Sequence, residues 1–189
     1  MMESIFETSF TNSIDVISKT WKHSRNELIN SAKIIDSVLK SGNKVFCCGN
    51  GGSAADAQHF AAELVIRYEK KRCALPAIAL TTDSSILTAG ANDLGFDTIF
   101  SRQLEALGCA GDLLIAISTS GNSSNIINAI NTAHCMKIRT VLLTGLGQGA
   151  ATECNIDQII KVQSNKTARI QEVHILILHS LCEIIERDN

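Results

Sequence analysis

Apolar positions in the first forty residues fall at helical spacing. Ile5, Phe6, Phe10, Ile14 and Ile17 form one set, Leu28, Ala32, Ile35 and Leu39 a second, and Gly42 ends it. The spacing predicts two helices within residues 3–41, whose apolar faces either cap the domain or pack against another subunit. From Lys44 the pattern changes to short, continuously apolar runs separated by helical stretches. These read as strand KVFCCG, a helix from Ser53, strand AIAL, helices across 84–107, strand DLLIAIS, a helix over 124–136, strands TVLLTG and QIIKV, and a last helix over 168–187. Strands apolar on both faces belong to a parallel sheet covered by helices on both sides. The expected architecture is α/β, a single domain over 1–189: a three-layer αβα sandwich around a parallel sheet of about five strands, preceded by two N-terminal helices. Ligands in such sheets bind beyond the carboxyl ends of the strands.

Composition narrows the partners. The chain has 189 residues, 45% of them hydrophobic, enough to bury a full core, and its net charge of -2 gives no basic field for nucleic acid. Seven cysteines, an odd number without a C-x-x-C pair, read as reduced thiols of a cytoplasmic protein. The opening MMESIFETSF has no basic segment followed by an apolar core, and no apolar run approaches the ~18 residues of a membrane span, so no membrane partner is expected. The run RYEKKR, Arg67 to Arg72, reads as a solvated connection.

Two loops carry the candidate chemistry. In CCGNGGSAADAQ, Asn50, Gly51 and Gly52 follow a strand and open a helix, with Ser53 as a possible cap and Asp56 three residues on. Free amides at a helix start, with the positive end of its dipole, form an anion site, although a tight turn without ligand explains the glycines equally well. The loop lacks the lysine of a nucleotide-binding loop and the G-x-G-x-x-G spacing of a dinucleotide fold, so no organic cofactor is expected. The second loop, DLLIAISTSGNSSN, offers Ser118, Thr119, Ser120 and Ser123 around Gly121. Hydroxyls and amides without fixed positive charge suit the phosphate of a sugar phosphate, and a cap accounts for only one of those hydroxyls.

Behind the first loop, His59 and Glu63 share a helix face at i and i+4. A sugar isomerisation needs a base for the carbon beside the carbonyl and an acid for the oxygens. Glu63 is a candidate base and His179 a candidate acid. A solvent-facing carboxylate and a buried helix histidine are the plain alternatives. Gln171, His174 and His179 lie together in RIQEVHILILH, and helical geometry alone does not choose among them: Gln171 and His179 are about 80° apart around the axis. Asn92 and Asp93 in GANDLGFD read equally well as turn residues.

The blocks GNGGSAADAQHFAAEL, LPAIALTTDSSILTAGANDLGFD, AISTSGNS and ARIQEVHILILH together resemble the sugar isomerase (SIS) domain family and, within it, the phosphoheptose isomerases, across nearly the whole chain. That resemblance implies a homotetramer converting sedoheptulose 7-phosphate to D-glycero-D-manno-heptose 7-phosphate for lipopolysaccharide heptose. It implies Glu63 and His179 as catalytic residues and a zinc ion held by His59, Glu63, Gln171 and His179. It further implies substrate contacts from Asn50, Gly51, Gly52, Ser53, His59, Glu63, Asn92, Asp93, Ser118, Thr119, Ser120, Ser123 and Gln171. A carboxylate bound to zinc cannot freely abstract a proton, so either the metal polarises the substrate or Glu63 detaches during turnover. Ala168 stands where the family pattern has proline, and Gly90-Ala91 where it is bulkier. The competing reading is a non-enzymatic SIS scaffold that resembles the replication initiator-associating protein around CCGNGGSAA and ARIQE; that protein lacks the Glu–His pair present here.

Overall fold

The computed structural model describes residues 1–188, the last of them by its backbone alone. Its first element, α1 (Met2–Lys40), contains both predicted N-terminal helices, joined without a loop at a break at Ser24 (φ -113°, ψ 19°). The break has a cause. Ser24 is buried and its Oγ donates to the Lys161 carbonyl at 2.9 Å, while one turn earlier Thr20 Oγ1 accepts the Gln163 N–H at 3.1 Å. These bonds tie the helix to residues 161–163 at the point where its backbone departs from helical geometry.

Five strands follow: β1 (Val45–Gly49), β2 (Ala77–Ala79), β3 (Leu113–Ser118), β4 (Arg139–Thr144) and β5 (Gln158–Lys161). They form one parallel sheet in the order β2-β1-β3-β4-β5. The chain steps from β1 outward to β2 and then returns to the other side of β1 with β3. The order therefore reverses between β1 and β3, and a crevice opens beyond the carboxyl ends of strands that part in this way. The Gly-rich turn leaves β1 and the Ser-rich loop leaves β3, so both predicted loops flank that point.

Alternation along the strands assigns the two cores. Val45, Cys47, Leu113, Ile115, Ile117, Val141 and Leu143 face α1, α2 (Gly52–Val65) and α6 (Thr167–Asp188). Phe46, Cys48, Leu114, Ala116 and Leu142 face the opposite layer, where α4 (Ser101–Leu107) and α5 (Ser124–Cys135) pack, with α3 (Ser84–Asp93) at its rim. All of these strand residues are fully buried, each large one contributing about 1.5–3 kcal/mol. The starts of β1 and β3 are tied by Asp112, whose carboxylate accepts the Lys44 and Cys109 N–H groups and pairs with Lys44 Nζ at 2.8 Å. Burial pushes that carboxyl up, but its bonds to Lys44 and Cys109 outweigh it and hold the group below its ordinary value.

Two expectations are corrected. Ser53 does not cap α2: Gly51 does, at φ +55°, and makes no side-chain bond, while Ser53 is buried inside the first turn. The box with Asp56 is thus absent, and Asp56 Oδ2 is buried without a hydrogen-bond partner. Nor is the run from Arg67 to Arg72 merely a solvated connection, because the Arg72 side chain is only 6% exposed and pairs with Glu186 of α6. All seven cysteines are free, and no helix among the described residues is long and apolar enough to cross a membrane.

Candidate active site

The Gly-rich turn is shaped by close approach. Gly51 takes the left-handed conformation, and a Cβ on Gly49 would collide with the Ser53 backbone. The Ser53 and Ala54 amides bond to the Asn50 and Gly51 carbonyls, leaving those of Gly51 and Gly52 as the ones the turn can offer. Asn50 spans to the neighbouring loop. Its side-chain amide and that of Asn125, buried at the start of α5, donate to each other's oxygens at 2.9 Å in both directions. Two loops on adjacent strands are thereby locked in one register.

The Ser-rich loop folds around Gly121 (φ +67°), whose N–H bonds to Ser118 Oγ at 3.1 Å. Ser118 and Ser123 hydroxyls stand 3.4 Å apart, and Ser120 Oγ accepts the Asn122 N–H. Ser123 caps α5 without a side-chain bond, so its hydroxyl faces its neighbour instead of closing the helix. Behind this loop runs a support the sequence reading missed. Ala150 N–H donates to Asn122 Oδ1 and Ala151 N–H to the Gly121 carbonyl, while a Cβ on Gly149 would strike the backbone of Ser120 and Gly121. The glycines of GLGQGAA were the available signal for that close approach.

Beneath the loop, His174 is fully buried, with Nε2 3.5 Å from the Thr144 carbonyl. Burial pushes its pKa down to about 4, only partly offset by that bond, so it is neutral at pH 7. The choice that helical geometry left open is resolved here: His174 points into the core, and His179 points out of it.

His179 Nε2 lies 2.8 Å from His59 Nε2, and His59 Nε2 lies 3.4 Å from Glu63 Oε1. The Tyr68 ring covers His179 at 5.6 Å between centroids. Three predicted residues from α2 and α6 therefore meet in one cluster. An Nε2···Nε2 hydrogen bond at this distance needs one ring as donor and the other as acceptor. Gln171 lies elsewhere on the same seam between α2 and α6: a Cβ on Gly52 would collide with its amide nitrogen. It stands about 12 Å along α6 from His179, and Gly52 about 10 Å along α2 from His59. The seam thus runs from the Gly-rich turn at one end to the Glu63–His59–His179 cluster at the other. Asn92 and Asp93 sit exposed at the end of α3, where Asn92 Nδ2 donates to Asp93 Oδ1 at 2.7 Å; among the described residues no hydrogen bond joins them to either loop.

Comparison with known proteins decides the family. The SIS domain matches residues 9–145. A phosphoheptose isomerase of Aliarcobacter butzleri is 50% identical over 188 residues, covering 99% of this chain and 98% of that one. The chain belongs to the phosphoheptose isomerase family. Solved phosphoheptose isomerases agree in fold along their whole length. That of Neisseria gonorrhoeae superposes with a TM-score of 0.92 at 42% identity, covering 99% of this chain and 100% of its own. That of Francisella tularensis gives 0.95 at 40%, covering 99% of both.

The donor chemistry of the cluster suits a zinc ion: two imidazole nitrogens and a carboxylate oxygen. As the side chains stand, however, no three His, Cys, Asp or Glu side chains among the described residues are arranged around an ion-sized site. Nitrogens bound to one tetrahedral zinc lie roughly 3.3 Å apart given Zn–N distances of about 2.0–2.1 Å. The 2.8 Å pair is closer than that, so holding an ion requires the two rings to part slightly.

Proposed function

We propose that the protein is an aldose–ketose isomerase that converts sedoheptulose 7-phosphate to D-glycero-D-manno-heptose 7-phosphate, supplying heptose for lipopolysaccharide. The observation that carries this reading is the meeting of Glu63, His59 and His179 in a member of this family. The phosphate sits against the Ser118, Thr119, Ser120 and Ser123 loop, and the Gly-rich turn receives sugar hydroxyls. Glu63 takes a proton from C1 while His179 gives one to the C2 oxygen, forming an enediol. His179 then accepts the O1 proton and Glu63 returns its proton to C2, which yields the aldehyde and restores both side chains. A scaffold has no use for a carboxylate and two imidazoles in contact beside phosphate-competent loops.

His59, Glu63 and His179 are the proposed zinc ligands, with Gln171 as the fourth that the family resemblance implies, and Glu63 would act as base only when detached from the ion. When bound, the ion supplies a Lewis acid that polarises the sugar oxygens. A homotetramer is supported by the apolar stripe of α1, in which Phe6, Phe10 and Ile14 are each about two-thirds exposed (67%, 69% and 68%). Seven free thiols accord with a cytoplasmic location.

Incubating the protein with sedoheptulose 7-phosphate and detecting the aldose product by NMR tests the reading. Binding of a replication initiator without any conversion of the sugar overturns it.

A further inference from the structure

The segment that follows α2 is held by two buried charges that the reaction does not use. Glu186, on α6 seven residues beyond His179, accepts the backbone N–H groups of Tyr68, Glu69 and Lys70 at 2.8, 3.0 and 2.8 Å. Burial pushes its carboxyl up, but those three amides, together with the Arg72 charge, outweigh it and keep the group below its ordinary value. It is therefore an anion at neutral pH. Arg72, whose Nε lies 3.4 Å from Glu186, spends its guanidinium on main-chain carbonyls: Nη2 donates to Glu63 at 2.7 Å, and Nη1 to Leu64 at 2.8 Å and Cys73 at 2.9 Å. A planar fork suits this task, and a cation at a helix C-terminus, where carbonyls lack intrahelical partners, is favoured.

Both charges act on the reacting pair. Arg72 fixes the carbonyl of Glu63 itself and so fixes where the carboxylate stem leaves α2. Glu186 fixes the Tyr68 backbone, whose ring covers His179. The pair also ties the end of α2 to the same face of α6 that carries His179, because residues seven apart share a helix face.

We infer that Arg72 and Glu186 form a positioning clamp that sets the separation between Glu63 and His179, and that its loss lowers kcat while leaving KM nearly unchanged. The inference rests on the isomerase reading above. The phosphate-competent loops lie at the other end of the seam and touch neither charge, so substrate affinity does not depend on the clamp. Turnover does, because a displacement of about 1 Å between reacting groups costs up to about 10²-fold.

The test uses the full chain and sedoheptulose 7-phosphate, with Glu186→Gln and Arg72→Lys. Glu186→Gln removes the charge and leaves one acceptor oxygen; Arg72→Lys keeps the charge but loses the fork. In folded samples, checked by circular dichroism below the thermal midpoint, both are expected to lose about tenfold or more in kcat with KM within about twofold. A lowered midpoint with undiminished kcat overturns the clamp and leaves a purely structural ion pair. A raised KM with unchanged kcat overturns it as well. Should Glu186→Gln fail to fold, Arg72→Lys decides alone by the same two criteria. Failure of the isomerase reading is distinct from these results, since there the unmodified protein turns over no sugar phosphate.

Discussion

His59 and His179 face each other through their Nε2 atoms at 2.8 Å, across the seam between α2 and α6. Residues 120 positions apart in the chain meet here because both helices pack on the same side of the sheet and both start at its carboxyl edge. In that contact one ring donates and the other accepts, and the Glu63 carboxyl lies beside His59 at 3.4 Å.

Replacing Glu63 by Gln keeps the volume and removes the base. The expected loss is about 10²- to 10⁴-fold in kcat, with the thermal midpoint unchanged to within a few degrees because glutamine keeps the size of the side chain and one of its two oxygens. Steady-state assay of the purified variant, paired with a melting curve, checks it. Full activity would remove Glu63 from the reaction.

Gly149 supports the Ser-rich loop by allowing backbone to touch backbone. Gly149→Ala forces a methyl group against Ser120 and Gly121, where no flexible side chain can yield, at a cost of about 1–3 kcal/mol. Since the loop that must shift is the proposed phosphate holder, KM for the sugar phosphate is expected to rise more than kcat falls. Titration with inorganic phosphate gives an independent reading, with weaker binding expected.

His174 makes stability depend on pH. Its folded pKa of about 4 lies below the unfolded value near 6.5, so below pH 6.5 the unfolded chain takes up a proton that the native one refuses. The stabilisation is complete above that value and is lost as pH falls towards 4, amounting to about 3 kcal/mol. Urea unfolding of the unmodified protein and His174→Gln at pH 7.5, 6 and 5 separates this contribution from that of the carboxylates. The variant's curve should be flatter across that window; parallel curves would contradict the burial argument.

Phe10→Glu places a charge in the apolar stripe of α1 without touching either core, since Phe10 is 69% exposed in the isolated chain. If that stripe joins subunits, light scattering should report a smaller species than for the unmodified protein, with unchanged helical content. An unaltered mass would move the interface elsewhere.

Much of this could be read from the chain. Apolar runs such as LLIAI and VLLT define parallel strands because residues buried on both faces have no polar partner to alternate with. His59 and Glu63 were legible as a pair from helical spacing, and His179 only through resemblance, since nothing local tells an outward histidine from an inward one such as His174. Arg72 was misread with its neighbours as solvated because local charge density says nothing about a carboxylate 114 residues later, at Glu186. The Ser53 cap failed for a different reason: Gly51, at positive φ, caps the helix two positions earlier and carries Ser53 into the interior. Asn125 was hidden too, because its partner Asn50 lies 75 positions away.

The bend at Ser24 bears on solubility. β5 is an outer strand of the sheet, and Ser24 and Thr20 occupy the Lys161 carbonyl and the Gln163 N–H at and just beyond its end, groups that would otherwise be open to a foreign chain. The opposite margin, β2, offers only three residues and begins just after Pro76. One border is shielded by a helix and the other is cut short, so the protein gives little purchase for strand-by-strand aggregation.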